Sequence, residues 1–171
     1  MPSAGQQRRI GDFRCQVRTN LTGQQRAIEL FAPWSGAEPA DWTLESTVDP
    51  ALLAELRRYA EEQTPSDRLE IFAGETFLRR YPYGEGVLLI DESSTEHAYL
   101  RRGATVTVVL GEDRPSLATY GVRAFRELFH RTQEEAGGLM LHAAACATAE
   151  GAAVIVGGKG AGKTTLMRAG C

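Results

Sequence analysis

Near its end the sequence contains the stretch Val154-Ile155-Val156-Gly157-Gly158-Lys159-Gly160-Ala161-Gly162-Lys163-Thr164-Thr165-Leu166. Four of these residues fit the pattern G-x-x-x-x-G-K-[ST], which is typical of phosphate-binding loops: Gly157, Gly162, Lys163 and Thr164. The apolar, β-branched run 152–156 predicts a buried strand before the loop, and residues 164–169 predict a helix after it. The prediction of the fold starts from this strand, loop and helix.

The residue types in the loop suit a triphosphate, whose oxygens need many hydrogen-bond donors. Gly157, Gly160 and Gly162 can adopt positive φ and carry no Cβ, so backbone amides can turn inward around an anion. The helix that follows presents unpaired amides and the positive end of its dipole to the same phosphates. We expect Lys163 to reach the β- and γ-phosphates and the Thr164 hydroxyl to bind Mg²⁺.

The sequence therefore predicts a site for ATP and Mg²⁺, with Thr164 as the metal ligand. The predicted cofactor-binding residues are Gly157, Gly158, Lys159, Gly160, Ala161, Gly162, Lys163, Thr164 and Thr165. Lysine occurs only at Lys159 and Lys163, against 17 arginines, and a compact ammonium suits a phosphate site. An alternative role for Lys159 is a solvated charge in the loop, and an alternative role for Thr165 is a residue that starts the helix. The alternative is a glycine-rich strand-to-helix turn that binds nothing.

Composition excludes several classes of protein. The chain has 171 residues, 43% of them hydrophobic and 24% charged, with a net charge of −3, which is ordinary for one globular domain or two small ones. It is not basic, so we expect no nucleic-acid partner. It has no long apolar run and no apolar leader, so we expect no membrane partner. The cysteines, Cys15, Cys146 and Cys171, have no metal or disulfide spacing, which predicts reduced thiols in a cytoplasmic protein.

The first third of the chain predicts a β-rich region with one helix. Residues 1–11 are polar and predicted to fray, and alternating patterns predict strands over 12–19 and 41–48. A further strand is predicted over 26–32, ended by Pro33. Asp49-Pro50 predicts a helix start, with an N-cap acceptor followed by proline at the first helical position. The helix should end before Pro65. Its charged residues should form a solvated face, and these are Arg57, Arg58, Glu61 and Glu62.

The middle of the chain predicts an antiparallel sheet. A strand over 69–73 is followed by two hairpins, one turning at Gly84-Glu85-Gly86 and the other at Arg102-Gly103. We expect His97 at the rim of this sheet, on the surface. Acidic residues crowd the strand ends, and we interpret them as ordinary turn carboxylates, one of which could reach the metal of the nucleotide: Asp91, Glu92, Glu96, Glu112 and Asp113.

A long amphipathic helix is predicted over residues 113–136, opened by Pro115 and closed by Gly137-Gly138. Its apolar stripe should pack in the core, and it consists of Leu117, Tyr120, Ala124, Phe125, Leu128 and Phe129. His130 is expected to be exposed. A strand over 139–146 and a tight turn then lead into the strand that precedes the loop.

The sequence Gly138-Leu139-Met140-Leu141-His142-Ala143-Ala144, followed by the turn, the strand and the loop, resembles the HPr serine kinase/phosphorylase family and its broader bacterial relatives. In that family a strand carrying a histidine precedes the phosphate-binding loop, and both face the active site. The resemblance is clear over residues 138–168 and loose over 69–137. It implies ATP and Mg²⁺ binding, phosphoryl transfer to a serine hydroxyl, and a catalytic position for His142. A neutral imidazole there could activate a hydroxyl or bind phosphate. From the residues alone, a partly buried strand histidine fits His142 equally well.

Only seven residues follow Thr164, whereas the metal carboxylates of this family lie beyond the loop. We therefore expect a fragment, or a site completed by upstream residues or a partner. The predicted fold class is α/β (α+β): a β-rich N-terminal part, then a mixed sheet leading into the strand, loop and helix, with the kinase fold incomplete at its C-terminus. The predicted domains are residues 1–65 and an HPr-kinase-like domain, truncated after the loop, over 66–171.

Three functional hypotheses remain open. The first is an ATP- and Mg²⁺-dependent serine kinase with little activity as this chain, a protein or free serine as acceptor, and a homo-oligomer as an open option. The second is a non-enzymatic nucleotide-binding regulatory module. The third is a decayed or truncated product, which would leave apolar faces around the loop uncovered.

Overall fold

A computed structural model describes residues 6–10, 12–19, 21, 23–24, 28, 39–72, 76–139, 141, 143–148, 151–158 and 160–170. The protein has mixed α/β content, as predicted, with one large mixed sheet and one small sheet. The chain divides into two compact units, Met1–Phe129 and His130–Cys171. No helix among the described residues is long and apolar enough to cross a lipid bilayer.

The first unit is built on an eight-stranded sheet with the order β1-β2-β3-β8-β7-β6-β5-β4. The strands are β1 Gln6–Ile10, β2 Phe13–Thr19, β3 Trp42–Val48, β4 Asp67–Phe72, β5 Thr76–Tyr83, β6 Gly86–Asp91, β7 His97–Arg102 and β8 Thr105–Leu110. The pairs β2–β3 and β3–β8 are parallel, and the other pairs are antiparallel. Strands from both sides of residue 65, the predicted domain boundary, belong to this sheet, and the compact units divide after Phe129 instead.

The first helix, α1 (Pro50–Glu62), begins where the sequence predicts. The Asp49 carboxylate accepts a hydrogen bond of 2.9 Å from the Leu52 amide, which satisfies one of the unpaired donors of the first turn. Three residues of its apolar face are buried in one core with side chains of β5, β6, β7 and β8, and they are Leu53, Leu56 and Ala60. The helix start predicted from Asp49-Pro50 is confirmed.

A single 3-10 turn (Pro115–Leu117) leads into α2 (Ala118–Glu135). The predicted apolar stripe of α2 is confirmed, because Leu117, Ala124, Phe125 and Leu128 are buried in a second core with side chains of β2, β3 and β8. Val108 belongs to this core, whereas Val109, the next residue in β8, belongs to the core of α1. Since successive strand residues point to opposite faces, the two cores lie on opposite faces of the sheet.

Two predictions of secondary structure for the first unit are wrong. Residues 6–10, expected to fray, form the edge strand β1, whose residues pair from Gln6 with Val17 to Ile10 with Phe13. An edge strand is held by backbone hydrogen bonds, which do not require an apolar sequence. Of the predicted strand 26–32, the structure describes only Ile28, which is helical and buried, so the strand prediction fails at that residue.

The second unit contains the antiparallel hairpin of β9 (Ala143–Thr148) and β10 (Gly151–Val156), followed by α3 (Lys163–Gly170). The hairpin and the helix are predicted by the sequence, but the first strand begins at Ala143 rather than at residue 139. The prediction that β10 is buried is wrong, since Val154 and Val156 are 55% and 64% exposed. Among the described residues, β10 pairs only with β9, so most of its side chains stay in contact with solvent.

The cysteines depart in part from the prediction of reduced thiols. Cys15 in β2 is a free, buried thiol, and burial raises its pKa to about 12, so it stays protonated near neutral pH. Cys146 in β9 is disulfide-bonded, so the prediction is wrong at that residue. Spacing along the chain does not limit which cysteines the fold brings together, which is why the sequence pattern missed this bond.

Candidate functional site

The predicted order of strand, loop and helix is observed in the second unit. β10 ends at Val156, α3 begins at Lys163, and residues 157–162 connect them. The Ala161 amide donates to the Gly158 carbonyl over 3.3 Å, which turns the chain within the loop. The Leu166 amide then donates to the Gly162 carbonyl over 2.9 Å, so the first bond of the helix starts from the last loop residue.

Two loop glycines have the positive φ that the pattern suggests. Gly160 has φ +80° and Gly162 has φ +76°, a backbone conformation that strains residues with a Cβ. Gly157 does not have positive φ, so that expectation fails for it. Its glycine relieves crowding instead, since a Cβ at this position would lie 3.3 Å from the Ala161 Cβ.

The Lys163 side chain folds back onto the loop. Its Nζ donates to the Gly157 carbonyl over 2.8 Å and to the Gly158 carbonyl over 2.9 Å. These bonds place the ammonium at the point where β10 passes into the loop, six residues before the lysine. An ammonium has three donors, so the same group could bind phosphate oxygens by adding to these bonds or exchanging one of them.

The outer side of the loop and the first turn of α3 face solvent. Gly158, Gly160 and Gly162 are exposed, and, apart from their chain neighbours, no atom of the described residues lies within 4 Å of the position that a Cβ would occupy on any of them. Thr164 and Thr165, in the first turn of α3, are also exposed, and so is Ala161. Because these glycines carry no side chain, none of them blocks a ligand from reaching the amides at the start of α3.

Two of the predicted site residues, His142 and Lys159, lie outside the described residues. Their predicted roles remain predictions. No group of three or more His, Cys, Asp or Glu residues in the part of the chain that the structure describes could hold a metal ion. Thr164 fits the role of a single protein ligand to Mg²⁺, because Mg²⁺ commonly keeps several water ligands and takes others from substrate phosphates.

The acidic strand ends of the first unit form ion pairs. Glu92 accepts hydrogen bonds of 2.9 Å from Arg68 and from Arg79, and these bonds lower the pKa of its carboxyl to about 2. Glu96 pairs with Arg114. These two carboxylates therefore already have cationic partners within their own unit.

The first unit contains a buried polar cluster that was not predicted from the sequence. His97, expected on the surface, has no exposed area, and Asp91 is only 4% exposed. Arg57, expected on a solvated helix face, is half-buried and donates to the carbonyls of Ser94 and His97. The first four residues of β7 are all buried, because β7 lies inside the sheet with a core on each face. No alternating pattern marks such a strand, so the sequence carried no signal for this cluster.

No protein-family model, curated protein or solved structure matches the chain. The interpretation of the loop therefore depends on its own residues: an inward lysine, two glycines with positive φ and an exposed helix start. This arrangement can bind a polyanion by charge, by backbone amides and by the helix dipole.

Proposed function

We propose that residues 157–164 bind the phosphates of ATP together with Mg²⁺, and that the chain carries the nucleotide site of a serine kinase of HPr-kinase type. The observation that carries the proposal is the Lys163 ammonium, held at the Gly157 and Gly158 carbonyls. A lysine that only solubilised a turn would gain more by extending into water. Here it is bonded to the carbonyls of a loop whose glycines at 158, 160 and 162 leave open space for phosphate oxygens.

In the proposed complex, each part of the loop has a separate task. Lys163 neutralises charge on the β- and γ-phosphates, and the amides from Gly160 to Thr164 donate to phosphate oxygens. Thr164 offers its hydroxyl to Mg²⁺, which, when bound, withdraws charge from the phosphates. The oxygen of the acceptor serine forms a bond to the γ-phosphorus while the bond to the β–γ bridging oxygen breaks. The serine proton passes to a base. The resemblance over residues 138–168 suggests His142 for this role.

The partners in this proposal are a nucleoside triphosphate and a serine hydroxyl on a protein or on free serine, in the cytoplasm. Positive φ at Gly160 and Gly162 supports the phosphate part of the proposal, because this glycine conformation is typical of backbone nests that bind anions. The serine acceptor is supported only by the resemblance over residues 138–168. The two parts therefore need separate experiments.

Phosphate binding is tested by titrating the full chain with Mg·ATP and following its amide resonances. We expect the resonances of residues 157–166 to shift, and we expect Lys163→Ala to weaken binding at least about 10-fold, the free energy of one charge-assisted hydrogen bond. Arg58→Ala is the matched control, since it removes one positive charge from an exposed side chain of α1, outside the loop. Equal losses in both variants, or unchanged resonances at millimolar ligand, would refute the assignment.

Phosphoryl transfer is tested by incubating the chain with γ-labelled ATP and either serine or a serine-containing acceptor protein. Formation of phosphoserine that Lys163→Ala abolishes supports the kinase. Binding of Mg·ATP without label transfer to any acceptor would instead support the regulatory nucleotide-binding module. The folded state of each variant is checked by circular dichroism, so that loss of binding is not confused with loss of structure.

A further inference from the structure

The histidine at the start of β7 lies in an unusual environment. His97 is completely buried, and its ring stacks on Tyr120 of α2 with centroids 3.6 Å apart. Tyr99 meets the same ring edge-on, with centroids 4.9 Å apart. Neither ring nitrogen has a hydrogen-bond partner in the described structure. A neutral imidazole therefore lies between two tyrosines with its polar atoms unsatisfied, which is costly in a folded protein.

One carboxylate is directed at this ring. Asp91, at the end of β6, places Oδ2 3.7 Å from His97 Nε2, which is within ion-pair range but too long for a hydrogen bond. Its other oxygen, Oδ1, accepts from the Ser93 amide over 2.7 Å and from the Ser93 hydroxyl over 2.6 Å. These two bonds fix the carboxylate, so it cannot turn fully toward the histidine without breaking them.

The charged groups around His97 come from every element packed against it. Burial is the largest influence and lowers the pKa of His97 to about 4. Arg57 on α1 and Arg123 on α2 lower the pKa further, whereas Asp91 on β6 and Glu96 in the loop before β7 raise it. Burial raises the pKa of the neighbouring Tyr99, so that residue is neutral near pH 7.

Solvent can approach the pair from the side of α1. A cavity of about 220 Å³ is lined by Asp91 and Arg57, together with residues of α1 and β5. Its volume is large enough for water molecules. Asp91 lines this cavity, and its Oδ2 lies 3.7 Å from His97 Nε2, so Asp91 is the group that we assign to carry a proton toward the ring.

We propose that His97 and Asp91 form an acid-operated clasp, which holds the start of α2 against the sheet while His97 is neutral and releases it when His97 takes up a proton. The proton binds Nε2, and the Nδ1–H remains without an acceptor. The imidazolium would then be buried with one imperfect ion pair, which costs more than moving the ring into water. Because Tyr120 covers the ring, the ring can leave only if the first turns of α2 move away.

The direct test is a titration of the histidine ring protons in the full chain, combined with hydrogen exchange of the α2 amides. A pKa lowered from 6.5 to about 4 means that acid shifts the opening equilibrium by a factor on the order of 100, since each unit is tenfold. Acid destabilises the folded chain only below the ordinary histidine pKa of 6.5, where the unfolded chain binds a proton that folded His97 does not. The stability contributed by neutral His97 is therefore fully present above pH 6.5 and is lost progressively as the pH falls to about 4. We expect amides of residues 118–124 to lose protection in that interval.

His97→Phe keeps an aromatic ring but cannot take up a proton, and we expect it to abolish this acid-dependent loss of protection. His130→Phe is the matched control and should keep the loss. A His97 that titrates at pH 6.5 or above, or a His97→Phe protein that opens as the wild type does, would overturn the proposal. If His97→Phe does not fold, Asp91→Asn serves instead, because it removes a group that raises the His97 pKa. The closed form then holds the imidazolium less well, so opening should begin at a higher pH than in the wild type, and an unchanged midpoint would refute the clasp.

Discussion

The two compact units differ in how they treat apolar side chains. In Met1–Phe129, two cores bury large residues completely, among them Leu44, Leu56 and Phe125. In His130–Cys171, large apolar residues are left in solvent, and these are Leu139, Leu141, Val154, Val156 and Leu166. The first unit has eight strands with helices on both faces, whereas a two-stranded hairpin with one short helix cannot enclose a core. The candidate phosphate site therefore lies in the unit with the less developed core.

Stability and the proposed function are therefore carried by different parts of the chain. The loop is shaped by local features, namely two glycine conformations and one lysine side chain, and needs no large core to form. Exposed apolar side chains of the second unit are typical of surfaces that contact other molecules. The first unit holds a few polar groups in its packed interior, among them Gln24, Asp91 and His97, where an unpaired charge is costly.

The largest expected difference in the free energy of unfolding comes from replacing one leucine by alanine in each unit. Leu44 in β3 has no exposed area, so Leu44→Ala should lower the free energy of unfolding by about 2–5 kcal/mol. Leu166 is 60% exposed, so Leu166→Ala should change it by less than about 0.5 kcal/mol. Urea denaturation, followed by circular dichroism and by amide resonances of both units, measures the two effects. Similar losses of unfolding free energy for both variants would contradict this difference between the two units.

A smaller effect is expected at a close contact inside the first unit. A Cβ on Gly121 would overlap the Gln24 side chain, which is fully buried and hydrogen-bonded to Thr19 and Ser46. We expect Gly121→Ala to lower the free energy of unfolding by about 1–3 kcal/mol, although alanine favours a helix. In a Gln24→Ala background the overlap is gone, and the same substitution should be close to neutral. Equal costs in the two backgrounds, measured by denaturation, would show that crowding is not the cause.

The smallest effect concerns the surface of the first unit. The bonds from Arg68 and Arg79 lower the pKa of Glu92 to about 2, so its contribution to stability is complete above the ordinary value of 4.5 and is lost as the pH falls toward 2. The two arginine side chains are 55% and 53% exposed, so solvent screens both pairs. Glu92→Gln should therefore lower the melting temperature slightly at pH 7 and less at pH 3. A loss that grows with acidity would contradict the assignment.

Local patterns predicted much of this protein correctly. The Asp49-Pro50 start of α1, the apolar stripe of α2 and the two glycine hairpins are confirmed because caps, periodicity and turns involve residues close in sequence. The loop motif likewise predicted where β10 ends and α3 begins. Exposure was predicted less well, since His97 was expected on the surface and β10 in the interior, and both expectations are wrong.

The amino-acid sequence by itself determined where α1 begins, where the hairpins turn and which residues form the candidate loop, whereas α2 begins at Ala118 and not at residue 113. Each of these depends on backbone preferences and hydrogen bonds between near neighbours. Only the tertiary structure decided that β3 pairs in parallel with β8, that His97 lies under Tyr120 and that Lys163 folds onto Gly157. These depend on which distant elements cover a given residue, and burial by distant elements leaves no periodic signal in the strand it covers.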